Sequence, residues 1–527
     1  MSLPAVNASV VPDVFAVYTP TALEVRLEVA ADLGPGATCS CQLPNSFLAA
    51  DVSPSLTRRL QTGDPAGDGH VAAELRRRDG TVTPLAPEVR PREFYSGCAV
   101  VRHGQCVDAV CGTALHAGDA VVFRFANLHS PWVANQEECV YVAVDGQTPE
   151  ALPTFRVLPG EAEVVRLIAP SVVRPGECFS LRLVTLDRYH NRSRSTCRDV
   201  TVRTDAGDAV AEGLSFTGAC TVPVTLDAPG VHRFHALGVR SNPVLVSPDA
   251  TPVYWGDLHS HSDMSVDAVG HENYAYAEEV SGLEFCAVCD HGAVTHPDNW
   301  ARAQARARAA DRPGRFVPIL AYELNLGYHL NLYFPDLEGE MVAVGTAGDS
   351  CPVPGAVEAL LERRPEILTQ LHHTGVQFGV TDMRETFPPT TRLLEIYSQH
   401  GQSETYNPDH VLAYENVRRM GPGKVSMLSI DGPYYARDAW ALGQRFATMG
   451  SSDDHFAQPG KCHCAVTAVR APTLDRESLM AALGAGACYA TTGERILLAF
   501  SIGEVGMGGT VRRPSGGQAL PCRLSVH

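Results

Sequence analysis

Residues 253–267 read VYWGDLHSHSDMSVD, and this stretch decides how the rest of the chain is interpreted. It opens with a short apolar run typical of a β-strand, and two histidines, His259 and His261, follow directly. Side chains two residues apart on a strand point to the same face, so both imidazoles can reach one metal ion. Asp453 and His455 repeat this spacing near the other end of the region. The two pairs together predict a metal site.

Four further motifs between these pairs carry histidine or carboxylate side chains beside apolar runs. They are CDHG (289–292), AYELN (321–325), LHHTG (371–375) and YSQHG (397–401). The candidate ligands are His259, His261, Asp267, His291, Glu323, His373, His400, Asp453 and His455, with His372 as the alternative to His373. Histidine and carboxylate ligands without cysteine suit zinc, manganese, iron or cobalt. Nine ligands are too many for one ion, so we expect two or three divalent ions as cofactors.

The first 250 residues are predicted to be all-β. Apolar and polar residues alternate in several short runs, and Pro-Gly pairs separate them, as is typical of sandwich modules. Such runs are VVRLIA (164–169), FSLRLVTL (179–186) and VHRFHAL (231–237). We expect a β-rich module at residues 1–155, a β-sandwich at 156–250 and a third domain at 251–527.

The third domain alternates short apolar strands with helical stretches. HENYAYAEEVSG (271–282) predicts a helix that Gly282 ends, and the Ala/Arg-rich run at 299–312 predicts another. Repeated strand–helix alternation favours parallel βα units, and ligands at the ends of many strands favour a barrel. The predicted class is therefore α/β, a barrel preceded by an all-β sandwich region.

Composition limits the classes of partner. The formal net charge of −17 and pI of about 5.6 argue against nucleic acid or an anionic membrane surface. The start of the sequence has no signal-peptide pattern, and no apolar run is long enough to span a membrane. Sixteen scattered cysteines are typical of reduced thiols in the cytoplasm. We expect a cytoplasmic protein with a small-molecule substrate, which could form a homo-oligomer.

The order, spacing and residue types of these motifs resemble the polymerase-and-histidinol-phosphatase (PHP) superfamily. The branch with a β-rich N-terminal region, which includes carbaryl-hydrolase-like metallohydrolases, is the more similar. The metal motifs cover residues 254–456. The resemblance implies a distorted (β/α)7 barrel, and it implies hydrolysis of phosphoesters or, in the carbaryl-hydrolase relatives, of carbamate esters.

The resemblance also implies roles for single residues. Glu323 matches a carboxylate that bridges ions, and His455 belongs to the family's final D-x-H pair. Asp290 would orient His291 from behind. His373 stands where the family has an H-P motif, but the next residue here is Thr374. Catalytic roles are thus expected for Asp290, Glu323 and His455.

The expected function is a metal-dependent hydrolase that uses a metal-bridged hydroxide on a small-molecule phosphoester. A carbamate, carboxyl ester or amide hydrolase with the same metal cluster is the first alternative. A metal-binding protein without turnover, with a structural or interaction role, is the second. Candidate substrate contacts are Tyr322, Asn325, Tyr435 and Arg437, and cations that could hold a phosphate are Arg437, Arg445 and Lys461.

Overall fold

The fold is given by a computed structural model. It describes residues 6–50, 53–57, 60–91, 94–96, 99–101, 105–265, 268–291, 297–344, 351–377, 379–417, 427–461, 463–512 and 519–527. Two compact units divide the chain. The first contains residues 1–160, 262–271 and 420–423, and the second contains 161–261, 272–419 and 424–527.

The first unit is built from β-strands and one short helix, α1 (Asn45–Leu48). Its strands are β1 (Val6–Val11), β2 (Val14–Ala16), β3 (Pro20–Val29), β4 (Thr38–Gln42), β5 (Ala49–Ala50), β6 (Ser53–Thr57), β7 (His70–Arg76), β8 (Val82–Leu85), β9 (Glu88–Pro91), β10 (Phe94–Ser96), β11 (Ala99–Val101), β12 (Gln105–Val110), β13 (Ala120–His129), β14 (Glu137–Cys139), β15 (Tyr141–Val144) and β16 (Thr154–Leu158). A five-stranded sheet (β1-β3-β13-β7-β8) and a four-stranded sheet (β15-β4-β12-β9) supply most of its core. Strand β3 shows why: Leu23, Val25 and Leu27 alternate with polar residues and are buried.

The second unit begins with a β-sandwich. Its strands are β17 (Val164–Ile168), β18 (Val172–Val173), β19 (Cys178–Leu186), β20 (Thr196–Thr204), β21 (Ala209–Thr217), β22 (Ala219–Thr225), β23 (Gly230–His232), β24 (Phe234–Ala236), β25 (Val239–Arg240) and β26 (Val244–Val246). Small sheets enclose a core that includes Leu181, Leu183, Val202 and Phe234. The β-rich structure of this region fits the β-sandwich expected from the sequence.

The remainder of the second unit contains a ten-stranded sheet with helices between some of its strands. The strands are β27 (Val253–Asp257), β28 (Phe285–Val288), β29 (Val317–Asn325), β30 (His329–Tyr333), β31 (Leu368–Leu371), β32 (Thr391–Ser398), β33 (Gly401–Gln402), β34 (Ala447–Gly450), β35 (Val466–Arg470) and β36 (Cys488–Thr491). The helices are α2 (Asn273–Ala275), which continues as a π-helix (Tyr276–Val280), α3 (Pro297–Ala310), α4 (Ala356–Arg363), α5 (Ala436–Ala441) and α6 (Arg476–Ala485). A small sheet of β37 (Leu498–Ile502), β38 (Val505–Gly506) and β39 (Cys522–Val526) follows.

The (β/α)7 barrel expected from the sequence is wrong, and with it the description of this region as a PHP domain. The structure is mostly β, with 42% strand and 11% helix, and the large sheet is a curled half-barrel. Its order is β33-β32-β31-β30-β29-β28-β27-β35-β36, with β34 beside β32. The class is therefore mainly β rather than α/β.

Two features account for the difference. Strands β29 and β30 form an antiparallel hairpin around Gly327, where a barrel would have a helix and a parallel strand. At the other edge, β35 runs antiparallel to both β27 and β36. The helices predicted at 271–282 and 299–312 do form, as α2 with its π-helical continuation and as α3. None of the described helices is long and apolar enough to cross a membrane.

Candidate metal centre

Strand direction explains why the predicted ligands meet. The pairings of β27 with β28, β28 with β29, β31 with β32 and β32 with β34 are parallel. Strand β30 is antiparallel to both β29 and β31, so those two run the same way. Six strands therefore direct their carboxyl ends to one edge of the curled sheet, and the predicted histidines and carboxylates lie at or just beyond those ends.

Glu323 is one hub of the cluster that results. It lies near the end of β29 and is 1% exposed, so its charge needs close partners. Five imidazole nitrogens surround its two oxygens: His259 Nε2 at 2.9 Å, His261 Nε2 at 3.3 Å, His372 Nε2 at 3.0 Å, His329 Nδ1 at 2.5 Å and His291 Nε2 at 3.7 Å.

Asp453 is the second hub, and it is 2% exposed. Its Oδ1 lies 3.2 Å from His261 Nε2 and 3.4 Å from His259 Nε2, and its Oδ2 lies 2.8 Å from His400 Nε2. His455 Nδ1 is 3.7 Å from Oδ1. Because His259 and His261 contact both Glu323 and Asp453, the two carboxylates belong to one continuous centre.

Both histidines of the LHHTG motif enter this centre. Neighbouring residues of a strand point to opposite faces, but β31 ends at Leu371, and His373 has a φ of 33°. That left-handed turn places the two ring centroids 4.2 Å apart. Ligand atoms of His372 and His373 lie within 4.8 Å of those of Glu323 and His329.

The cluster combines an ionised carboxylate with neutral imidazoles. Burial opposes ionisation of Glu323, yet His291, His372 and His259 hold its pKa well below the usual range. Burial, assisted by the neighbouring His259, lowers the pKa of His372 to about 3, although Glu323 acts in the opposite direction. Burial and the neighbouring His372 also lower the pKa of His373. These two imidazoles are thus neutral, which is the form that binds a metal ion.

Buried carboxylates also lie behind the ligands. Glu395, inside β32, places Oε2 3.1 Å from His259 Nδ1, and burial raises its pKa to about 7. Asp257 accepts backbone N–H groups of His259 at 3.2 Å and of Ser452 at 3.0 Å. Such partners fix the orientation of metal-binding side chains.

The donor set fits divalent metal ions. Among the described residues, neither ring nitrogen of the buried His372 makes a hydrogen bond, although Nε2 lies 3.0 Å from Glu323. His259 Nε2 and His261 Nε2 approach each other to 3.2 Å, as two ligands of one ion do. Buried polar atoms without a hydrogen-bond partner, such as the ring nitrogens of His372, are rare unless a ligand satisfies them. Four groups could each hold an ion: Glu323–His329–His372–His373, His259–His372–Glu395–Asp453, His259–His261–Glu323 and His261–Asp453–His455.

Several predicted residues lie apart from this cluster or outside the description. Asp267 falls outside the described residues. Asp290 is buried beside the cluster residue His291. Tyr322 is fully buried against Trp300 and Phe334, and its hydroxyl donates to the Glu340 carbonyl at 3.3 Å.

The other proposed substrate contacts make ordinary structural interactions. Tyr435 is fully buried and donates to the Ile430 carbonyl at 3.1 Å. Asn325 accepts the N–H of Gly327 at 3.0 Å in the hairpin turn. Arg437 is exposed on α5. Their contact with substrate stays a prediction.

Sequence analysis missed the place of His329 and Glu395 in the cluster. His329 is not among the predicted ligands, because it reaches Glu323 only through the hairpin of β29 and β30. The turn residue Gly327 between two apolar runs was the available signal. Glu395 was the single carboxylate in the apolar run RLLEIY, which is a sign of a buried charge with a partner.

Comparisons with known proteins leave the family open. No protein-family model matches the chain. An uncharacterized protein of Chlamydia pneumoniae is 22% identical over 370 residues, which are 65% of this chain and 58% of that protein. The chain thus spans less than two thirds of the length of this curated relative.

Similar solved structures include PsfC from Pseudomonas syringae PB-5123, 16% identical, which covers 45% of this chain and 91% of its own with a TM-score of 0.30. The adhesin InvE of Yersinia pseudotuberculosis is 13% identical, covers 47% of this chain and 60% of its own, and has a TM-score of 0.15. Scores this low establish no shared fold. These comparisons give no support to the PHP resemblance of the motifs, which stays a prediction about the ligand residues and not about the fold.

Proposed function

We propose that this protein is a metal-dependent hydrolase whose centre lies between Glu323 and Asp453. The observation that supports it is a pair of buried carboxylates, Glu323 and Asp453, which His259 and His261 join and which further histidines such as His291, His372 and His400 surround. Two or three ions held there would supply Lewis acidity and lower the pKa of water to roughly 7. Zinc, manganese and iron suit the donors.

The residues of the centre fall into two groups by the exposed fraction of their side chains. His259, His261, His372, Glu323 and Asp453 are nearly inaccessible and would fix the ions. His291, His329, His400 and His455 keep between 11% and 15% of their side chains exposed and form the accessible side. A substrate would therefore approach over these four imidazoles. None of this requires a nucleophilic serine or cysteine.

A small-molecule phosphoester is the leading substrate, but one observation favours a carbamate, carboxyl ester or amide. Phosphate recognition usually adds fixed cations to the metals. Lys461 is buried and paired with Asp454 instead, and Arg437 and Arg445 are exposed. Neither arginine lies within 4.0 Å of a cluster carboxylate in the part of the chain that the structure describes. An uncharged substrate would need no such cation.

The testing experiment combines metal analysis with a turnover screen. Purified protein, reconstituted with zinc, manganese or iron, is expected to hold two or three ions per chain. The screen compares an aryl phosphomonoester, a phosphodiester, an aryl carbamate and a carboxyl ester, with His261→Ala as the inactive control. One ion or fewer after reconstitution would refute the centre.

Turnover separates the remaining possibilities. Hydrolysis of the carbamate or ester, but not of either phosphoester, would select the alternative substrate class. Two bound ions without any hydrolysis would indicate a metal-binding protein with a structural or interaction role. A cytoplasmic location is part of the proposal, supported by described cysteines that are all free thiols.

A further inference from the structure

The loop that carries Asp453 and His455 is supported from behind by buried polar contacts. Asp454, between the two candidate ligands, is fully buried and points away from them toward Lys461, which is 3% exposed. The Oδ2 of Asp454 accepts the N–H groups of Phe456 at 2.9 Å and Gln458 at 2.6 Å. The loop therefore closes on itself around one carboxylate.

From this loop, Gln458 reaches into the β-sandwich. Its Nε2 donates to the Tyr189 carbonyl at 2.9 Å and lies 3.3 Å from Asn191 Oδ1. Both partners belong to the turn that follows β19, residues 187–191. Gln458 is 1% exposed, so water does not offer these hydrogen bonds in place of the turn.

Hydrogen bonds within the sandwich turn fix its conformation. Asp187 Oδ1 accepts the N–H groups of Tyr189 at 2.9 Å and Asn191 at 3.0 Å, and Asn191 Nδ2 donates to Asp187 Oδ2 at 3.1 Å. Asp187, His190 and Asn191 are buried, whereas turns normally lie on the surface. A polar turn is buried at such a cost only where it contacts something specific.

Three further contacts hold the same loop. Arg166, on β17 of the sandwich, donates to the Gly460 carbonyl at 3.2 Å. Asp257 Oδ2 accepts the N–H of Gly460 at 2.8 Å, and Ser281 Oγ donates to the Pro459 carbonyl at 2.7 Å. The loop is thus fixed from the sandwich and from β27, while its outer side carries the candidate ligands.

We infer that the sandwich turn 187–191 is a positioning element of the metal centre. It acts through Gln458 and Asp454 to hold Asp453 and His455 in ligating geometry. The sandwich then contributes to metal binding without donating a ligand. This inference rests on the proposed metal centre. It gives the sandwich a role in positioning Asp453 and His455.

The test uses the full-length protein and the variant Gln458→Leu, which keeps the volume and removes the donor. Metal affinity is measured by competition with a chelator, and ligand geometry by the visible absorption of the cobalt-substituted protein. We expect a 10- to 100-fold loss of affinity and an altered cobalt spectrum. Asn191→Ala removes the partner of Gln458 in the turn and should have the same effect. The double variant should lose no more metal affinity than either single variant.

Val202→Ala is the matched control. Val202 is fully buried in the sandwich core and lies on β20, away from the turn. It should lower the melting temperature and leave the metal affinity and the cobalt spectrum unchanged. Wild-type affinity and spectrum in Gln458→Leu would overturn the inference, as would an equal loss of affinity in Val202→Ala. A wild-type protein that binds no ion would instead refute the centre itself.

Discussion

Glu395 Oε2 lies 3.1 Å from His259 Nδ1, and both side chains are buried. This contact fixes the imidazole with Nδ1 toward Glu395 and Nε2 toward Glu323 and Asp453. A histidine that donates from one nitrogen to a carboxylate and offers the other to an ion is the usual arrangement in metal sites.

The first prediction concerns this pair. Glu395→Ala should lower metal affinity by about 10- to 100-fold, because His259 loses the partner that orients it. Glu395→Gln keeps an accepting oxygen and should lose less. Chelator competition measures both, with exposed Glu362→Ala on α4 as the control. Equal metal affinities in Glu395→Ala and in the control would contradict a role of Glu395 in orienting His259.

The second prediction ranks the two neighbouring histidines. The family resemblance favours His373 as the ligand, but His372 belongs to two of the potential ion sites and His373 to one. His372→Ala should therefore remove more bound metal than His373→Ala. Elemental analysis of both variants after identical reconstitution decides the order. A greater loss in His373→Ala would restore the order that the sequence suggested.

The third prediction concerns removal of the metal. An ion that binds only the folded protein stabilises it by about 2.7 kcal/mol at a concentration one hundred times its dissociation constant. Chelation should lower the melting temperature, and zinc or manganese should restore it. The size of this shift should fall sharply in His261→Ala, which contacts both hub carboxylates. A melting temperature insensitive to chelator would argue against bound ions.

The fourth prediction concerns the buried ion pair of Lys461 with Asp454. Lys461→Met should cost about 3–5 kcal/mol in the free energy of unfolding, because Asp454 is left as an uncompensated buried charge. Adding Asp454→Asn should recover part of the loss. Urea unfolding of the single and double variants measures the coupling. Strictly additive effects would mean that the pair has no special energetic role.

The fifth prediction is a pH dependence at His190. Burial, assisted by Lys461 and Arg166, lowers its pKa to about 4 from an ordinary value near 6.5. The unfolded chain then binds the proton more readily, so stability is complete above about pH 6.5 and is lost as the pH falls toward 4. The loss attributable to this group is about 3 kcal/mol.

His190→Asn isolates that effect. Asparagine tolerates the left-handed φ of 64° at this position and does not titrate. Denaturant unfolding at several pH values should show a smaller decline for the variant between pH 7 and 4 than for the wild type. Parallel declines in the two proteins would place the acid sensitivity elsewhere.

The sequence by itself determined the β-rich character of the first 250 residues and the residue types that gather in the candidate centre. Period-two alternation states which face of a strand is buried, and it needs no knowledge of the partner strands. The residue types of the strand-end motifs likewise limit the ligands to imidazole and carboxylate. His259, Glu323 and Asp453 are examples that the structure brings together.

Only the tertiary structure decided the arrangement of the large sheet and the membership of the centre. Strand–helix alternation indicates parallel units, but pairing partners are set by contacts between distant residues, and β29 turns back into β30 instead. That hairpin places His329 beside Glu323. The φ of His373 brings both adjacent histidines to one side, and the fold places Glu395 behind His259. Such positions depend on the packing of separate strands, which local periodicity does not encode.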